Sequence, residues 1–271
     1  MSQMTAQQSS TAVQVAPETE HETQTAQAKP KIDYPSTDGE PMAQNTRQYR
    51  WIVTIQGGLA AMFRDRPDVF VAGDLFWYPI EGDNKTRVAP DVMVAFGRPK
   101  GDRDSYKQWE EDGIAPQVVF EVASPSNTPS EWISKTLFYE RFGVQEFYIY
   151  DPDSGELQGY VRGEDGHLRP VESMRGWVSP LLGVRFDVEG LELVLTTPEG
   201  KRFRSYEEVV AAYEEAVAAY EEAERLLERE RQRAEAERQR AEVERQRAEA
   251  ERQRAEQLAQ KLRELGVEFD E

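Results

Sequence analysis

Two carboxylates stand inside stretches that otherwise read as buried strands. Glu121 lies in the apolar run 118–123, and Asp91 interrupts the apolar run 88–96. An ionised carboxylate in such surroundings is costly unless a cation or a hydrogen-bond donor meets it. If the two strands are close, both side chains project from one sheet face and can chelate a divalent metal. Mg²⁺ suits such a pair, because it binds through one or two carboxylates and fills its other positions with water and substrate phosphate oxygens.

A lysine is the candidate for the third group of such a site. Lys135 is the only basic residue in the stretch 108–140, and it stands early on the helix predicted after the Glu121 strand. There it would position or activate the water that attacks phosphorus. Structural interpretations stay open: Lys135 pairs with Glu131 on the helix surface, an arginine or the backbone satisfies Glu121, and Asp91 is a polar residue at a turn or strand edge.

The composition restricts the chemistry further. The 271 residues include no cysteine and two histidines. Disulfides, cysteine-ligated zinc, iron–sulfur clusters and thiol nucleophiles are excluded, and any hard-metal site must be built from carboxylates. There is no run of 18 apolar residues and no secretory signal pattern near Met1. We therefore expect a protein of the reducing cytoplasm that does not enter a membrane.

The net charge of −18, from 33 basic and 51 acidic residues, argues at first against a nucleic-acid partner, because phosphate binding rests on Lys and Arg. The charge is spread along the chain, with −4 in residues 1–45, −9 in 46–200 and −5 in 201–271. Half of the excess therefore lies outside the central part of the chain.

Composition divides the chain into four parts. Residues 1–45 are rich in Gln, Thr, Ser and Ala, so we predict a disordered N-terminal arm. Residues 46–200 hold nearly all the Trp, Phe and Ile and form a domain of ordinary size. Residues 205–265 predict one long charged helix, and 266–271 are a tail.

The long helix begins with a capping box, Ser205 with Glu208. A seven-residue spacing of Tyr, Leu and Ala follows, and 230–257 contains four copies of ERQRAE plus one variable residue. We expect local ion pairs such as Glu230 with Arg233 and Arg233 with Glu237 to hold the repeat. At about 1.5 Å per residue the helix would extend roughly 90 Å. It is either a solvated spacer or a coiled-coil-like segment that makes the protein a homo-oligomer through its apolar ends.

The central domain reads as mixed α/β. Hydrophobic periodicity predicts helices at 44–63 and 130–142. Strands are predicted at 69–78, 88–96, 117–123, 146–150, 157–162, 168–172, 184–188 and 191–195. There is no Walker A loop, GxGxxG or GxSxG motif, so nucleotide-phosphate cradles and serine hydrolases have no sequence support.

These residues, taken in order, resemble the bacterial restriction endonuclease-like family of the PD-(D/E)xK nuclease superfamily. The resemblance covers about 49–195. It rests on Pro90-Asp91, VFEVASPS at 119–126, Lys135 with Tyr139, and GVQEFYIYDP at 143–152. It implies a restriction-endonuclease-like mixed β-sheet core flanked by helices. It also implies that Asp91 and Glu121 are metal ligands and that Lys135 is the catalytic lysine.

Two departures from the superfamily pattern bear on the mechanism. The lysine that usually lies two residues after the second acid is replaced by Ala123, and the first helix, 44–63, contains no acidic residue. The lysine has therefore moved to the next helix, and one metal is favoured over two. We expect Mg²⁺ or Mn²⁺ to be held by Asp91, Glu121 and the Val122 carbonyl.

Six basic residues around the Asp91 strand are candidate nucleic-acid contacts: Lys85, Arg87, Arg98, Lys100, Arg103 and Lys107. Their alternative is ordinary solvated loop charge. Tyr106 and Trp109 in the same region could stack on a base or pack on the sheet. The sequence thus predicts a metal-dependent endonuclease acting on nucleic acid, with DNA favoured. The alternatives are an inactive nuclease-fold binding module and a coiled-coil scaffold.

Overall fold

The computed structural model describes residues 32–37 and 45–264. Three α-helices span α1 (Thr46–Met62), α2 (Pro129–Phe142) and α3 (Tyr206–Glu264), and a short 3₁₀ helix spans Gln108–Glu110. The strands are β1 (Val69–Gly73), β2 (Trp77–Tyr78), β3 (Val92–Phe96), β4 (Tyr106–Lys107), β5 (Val118–Val122), β6 (Glu146–Asp151), β7 (Glu156–Arg162), β8 (Leu168–Pro170), β9 (Trp177–Val178), β10 (Arg185–Glu189) and β11 (Glu192–Thr196). The predicted mixed α/β architecture is confirmed.

A six-stranded mixed sheet forms the centre, in the order β1-β3-β5-β6-β7-β8. Strands β5 and β6 are parallel, and the other neighbours are antiparallel. Parallel neighbours require a crossover connection, which α2 supplies. Because side chains alternate along β5, Phe120 and Val122 face one side of the sheet, while Val119 and Glu121 face the other.

The two faces have different covers. Helix α1 covers the Phe120 face with Ile55 and Leu59, which are fully buried, and the small β9–β11 sheet adds Phe186. Helix α1 starts at Asn45, whose side chain accepts hydrogen bonds from the first free amides. Helix α2 covers the opposite face through Tyr139.

Helix α2 has strong signals at both ends. Thr128 and Glu131 form a reciprocal capping box, and Pro129 occupies the first turn. Gly143 ends the helix at φ 96°, a left-handed conformation that glycine adopts without strain. These ends set the register of the side chains that α2 directs at Glu121.

The predicted long helix is a single α-helix of 59 residues, none of which is buried. It begins at the predicted capping box, in which Ser205 N donates to Glu208 at 2.7 Å. The predicted pairs of Arg233 are not formed, and among the described residues the repeat has one ion pair, Arg252 with Glu256 at 3.1 Å. Glutamines bond glutamates four residues earlier instead, as Gln239 does with Glu235.

Part of the predicted N-terminal arm lies against the domain. Tyr34 packs on Tyr78, and its hydroxyl accepts a hydrogen bond from Gly82 N at 2.7 Å. Tyr78 in turn donates to the Pro35 carbonyl at 2.6 Å. The remainder of the arm, and the predicted tail 266–271, lie outside the described residues.

Two predicted strands are shorter than expected. The strand predicted at 69–78 breaks after Gly73, where Asp74 has a φ of 48°, and resumes as β2. The strand predicted at 88–96 begins only at Val92, so Asp91 immediately precedes β3. No helix in the described part of the chain is long and apolar enough to cross a membrane.

Candidate active site

The Glu121 carboxylate is 1% exposed, and both of its oxygens are engaged. Lys135 Nζ lies 2.6 Å from Oε2, and the Tyr139 hydroxyl donates to Oε1. Lys135 and Tyr139 are four residues apart, so they share one face of α2. Ala123 occupies the position, two residues after Glu121, where the superfamily usually has its lysine. The geometry shows that a lysine on the following helix can contact the same carboxylate. It also rules out Glu131 as the main partner of Lys135.

Asp91 reaches the same place from the neighbouring strand. The antiparallel register pairs Val92 with Phe120, which brings the residue before β3 alongside the end of β5. Val122 N donates to Asp91 Oδ2 at 2.7 Å. The structure therefore brings together Asp91, Glu121 and Lys135, the three residues singled out in the sequence.

Burial and the neighbouring charge of Glu121 raise the pKa of Asp91 to about 8. The hydrogen bond from Val122 N and the charge of Lys135 lower the pKa of Asp91, but by less than burial and Glu121 raise it. Below about pH 8 Asp91 is therefore protonated in the folded protein when no metal is bound.

The two partners of Glu121 hold their protons firmly. Burial lowers the pKa of Lys135, but the charges of Glu121 and Asp91 outweigh it, and the net pKa is raised. Burial and the adjacent Glu121 raise the pKa of Tyr139 well above its ordinary value. Lys135 is thus a persistent cation and Tyr139 a persistent hydrogen-bond donor.

The Val122 carbonyl has a partner that the sequence did not indicate. Gln48 Nε2, on the first turn of α1, donates to it at 2.9 Å. Gln48 thus brings α1 to the site, although that helix has no acidic residue. Nothing in the local sequence distinguishes Gln48 from other surface glutamines, whereas the i,i+4 spacing from Lys135 is a signal for Tyr139.

The donor set fits one divalent metal. Asp91 is a partly buried carboxylate with no ion-pair partner among the described residues, and one of its oxygens accepts no hydrogen bond from them. Glu121 and the Val122 carbonyl could supply further oxygen ligands beside it through lone pairs that their bonds to Lys135, Tyr139 and Gln48 leave open. The described residues form no cluster of three or more carboxylate or histidine ligands that could hold a metal. Such a sparse set suits Mg²⁺ or Mn²⁺, which complete their shells with water or phosphate oxygen.

Three of the six candidate nucleic-acid contacts are engaged elsewhere. Arg98 and Arg103, 12% and 13% exposed, both pair with Glu111, at 2.9 and 2.6 Å. Lys100 Nζ donates to the carbonyls of Phe63 and Arg64, just after α1. At about 3.3 Å per residue, the far end of β3, at Phe96, lies roughly 17 Å from Asp91. The structure therefore does not bring these three side chains to the site.

The other three belong to the side of the domain that carries β2 and β4. Arg87 lies over the Phe76 ring, 4.7 Å from its centroid. Lys107 pairs with Glu110 at 3.2 Å. Lys85 is exposed.

The two aromatic candidates of that region pack within the protein. Tyr106 is fully buried and stacks on Phe70. The Trp109 ring lies 5.0 Å from that of Tyr34. Of the two alternatives for Tyr106, base stacking and packing on the sheet, the structure shows packing on the sheet.

The comparison with protein-family models agrees with the resemblance seen in the sequence. The family model described as "Uma2: Putative restriction endonuclease" matches residues 19–196. One similar solved structure is that of "a putative nuclease belonging to DUF820" from Anabaena variabilis ATCC 29413. It has a TM-score of 0.37 and 16% identity over 54% of this chain and 79% of that chain. A search of curated proteins finds no match. Helix α3 lies outside the family match.

Proposed function

Because the chain belongs to the Uma2 restriction endonuclease family, we propose that it is a metal-dependent endonuclease that hydrolyses phosphodiester bonds of nucleic acid, with DNA as the substrate. The observation that carries this proposal is the meeting of Lys135 with Glu121 at 2.6 Å beside Asp91. Two acidic groups and a cation in one partly enclosed site are the groups that phosphodiester hydrolysis needs.

In this proposal Asp91, Glu121 and the Val122 carbonyl hold Mg²⁺ or Mn²⁺. When bound, the metal lowers the pKa of a water and polarises the scissile phosphate. Asp91 gives up its proton to become a ligand, since its carboxyl is protonated below about pH 8. Tyr139 keeps one oxygen of Glu121 fixed, so the orientation of that carboxylate does not depend on Lys135 alone. Lys135 steadies the attacking water or the charge that develops on the phosphate.

The test uses the purified full chain on plasmid and single-stranded DNA with Mg²⁺ or Mn²⁺. We expect Glu121→Gln to abolish cleavage and Lys135→Met to slow it by about 100- to 1,000-fold. The matched control is Glu146→Gln: Glu146 is also 1% exposed, but it lies on the opposite sheet face, bonded to Ser179 and Leu181. Cleavage that is equal in wild type and Glu121→Gln would overturn the catalytic assignment.

The C-terminal helix favours a second candidate, a binding module or scaffold without catalysis. Helix α3 exposes Tyr206, Tyr213 and Tyr220 at seven-residue spacing, from 64% to 73% exposed, and buries nothing. We propose that this seam joins copies of the chain into a homo-oligomer. Deleting 205–271 should then reduce the mass measured by light scattering by more than the deleted segment accounts for. A mass reduced by that segment alone would refute self-association.

We propose the cytoplasm as the compartment, which is compatible with a chain that has no cysteine and therefore needs no disulfide for its stability. A fluorescent fusion that reports export from the cytoplasm would contradict this.

A further inference from the structure

A groove runs beside α2 on the sheet face that carries Glu121, between the helix and strands β6 and β7. We call it the α2 groove. Its volume is about 510 Å³, and it is lined by Pro129, Trp132, Ile133, Thr136, Leu137, Ile149, Gln158 and Tyr160. Sites for small organic groups have this size, an apolar lining and a few polar atoms.

The floor of the α2 groove is continuous with the candidate active site. The strand register pairs Glu121 with Ile149 and Ile149 with Gln158, so these three side chains form one row on the same face. At about 4.8 Å between strands, Gln158 lies roughly 10 Å from Glu121 across the sheet. The groove thus begins one strand away from the carboxylate.

The wall of the groove is the helix that carries the lysine. Lys135 Nζ lies 5.7 Å from the centre of the Trp132 ring. A phosphate that contacts Lys135 therefore lies close to an aromatic surface. Across the floor, the Tyr160 ring stacks on Phe147, which fixes its plane.

The polar atoms of the groove are held in place. The Tyr160 hydroxyl donates to Gln158 Oε1 at 3.1 Å, and Gln158 Nε2 donates to Glu156 at 2.7 Å. An oriented amide beside two aromatic rings offers both stacking and edge hydrogen bonds to a planar heterocycle.

We propose that the α2 groove binds an unpaired nucleobase of the nucleic acid strand whose phosphate lies at Glu121 and Lys135. This rests on the proposed nuclease function and narrows its substrate to single-stranded or locally unpaired nucleic acid. A base within a duplex is stacked on its neighbours and hydrogen-bonded to its partner, so it cannot enter a groove beside the sheet. Trp132 supplies the stacking surface and Gln158 the edge contact.

The same groove has an alternative occupant, because Ile133 and Leu137 are 62% and 60% exposed at its rim. Two such side chains also suit a contact with a second copy of the chain. The base is favoured by the row that connects the groove to Glu121 and by the contact between Lys135 and Trp132, neither of which a copy-to-copy contact requires.

The test measures binding of a fluorescently labelled single-stranded oligothymidylate to the full chain in EDTA, by anisotropy, so that no cleavage occurs. Trp132→Ala should weaken binding by roughly 5- to 150-fold, the range expected for loss of one stacked base. Trp132→Phe should restore most of the affinity, because it keeps an aromatic face. Trp109→Ala is the matched control, since its ring packs near Tyr34. Thermal melting by circular dichroism identifies any variant that does not fold.

Each outcome bears on the proposal. Affinity that falls in Trp132→Ala and recovers in Trp132→Phe supports the base site. Unchanged affinity overturns it, and so does a Trp132→Ala protein that halves in mass by light scattering while binding as wild type does. The nuclease function is judged separately by Glu121→Gln, which should bind the oligonucleotide but not cleave it in Mg²⁺. Binding that depends on Trp132 without any cleavage by wild type would retain the base site and reject the nuclease.

Discussion

The carboxyl of Asp91 makes the stability of the metal-free protein fall as the pH rises. Its pKa is raised from 3.8 to about 8, first by burial and then by the charge of Glu121. In the unfolded chain an aspartate loses its proton near pH 4. Between about pH 4 and 8 the folded state therefore holds a proton that the unfolded state has released. The free energy of unfolding should decrease by up to about 1.4 kcal/mol per pH unit in this window, at most about 6 kcal/mol in total.

The substitution Asp91→Asn isolates this effect. The asparagine side chain has no proton to lose, yet its oxygen can still accept the hydrogen bond from Val122 N. We expect urea unfolding in EDTA at pH 5, 6, 7 and 8 to show that the free energy of unfolding of Asp91→Asn, relative to that of wild type, increases by about 1 kcal/mol per pH unit. Asp104→Asn removes an exposed carboxylate and is the control. Its free energy of unfolding should change with pH as that of wild type does. A difference between Asp91→Asn and wild type that is constant across these pH values would refute the reasoning.

Three further predictions address the metal, the carboxylate and the basic cluster. Apparent Mg²⁺ affinity, measured from the shift of the unfolding midpoint, should rise up to about tenfold per pH unit from pH 6 to 8, because the ion displaces the Asp91 proton; a flat profile contradicts this. Tyr139→Phe should lower the free energy of unfolding by about 1–3 kcal/mol, since a buried oxygen of Glu121 loses its donor; a loss below about 0.5 kcal/mol in urea unfolding argues against that bond. Glu111→Ala should lower the free energy of unfolding by about 2–4 kcal/mol in the same measurement, because Arg103 loses its carboxylate partner and Arg98 keeps only Asp112. The cleavage rate should not change; a large loss of rate in a folded variant would indicate that this cluster contacts nucleic acid.

The two acidic residues of the candidate site could be identified in the sequence because each is a charged side chain within an apolar strand pattern. Glu121 is conspicuous in a strand in which every neighbour is apolar, and Asp91 is conspicuous for the same reason. Lys135 needed the family resemblance, since helical spacing from Glu131 is an equally good local explanation. The structure places Lys135 against Glu121 and not Glu131, through a contact of 2.6 Å across 14 positions of sequence.

Long-range contacts account for most of what could not be predicted. Strands β2 and β4 have two residues each and exist because Trp77 pairs with Tyr106, far along the chain. Gln48 contacts Val122 across 74 positions. The charge of Arg98 was plain in the sequence, but its partner Glu111 was not.

The ion pairs of α3 could not be predicted for a different reason. In the repeat each arginine has several glutamates within three or four positions on an exposed surface. Such pairs differ by only a few tenths of a kcal/mol, so spacing does not choose among them. The helix itself, in contrast, follows from composition and from the capping box at Ser205.

The central claim is that Asp91 and Glu121 hold one divalent metal beside Lys135. Anomalous diffraction from crystals of the full chain soaked in Mn²⁺ tests it most directly. The prediction is one anomalous peak within about 2.0–2.4 Å of an oxygen of each carboxylate, absent in a soaked Glu121→Gln crystal. No peak between the two carboxylates at saturating Mn²⁺, or a peak that persists there in Glu121→Gln, would contradict it.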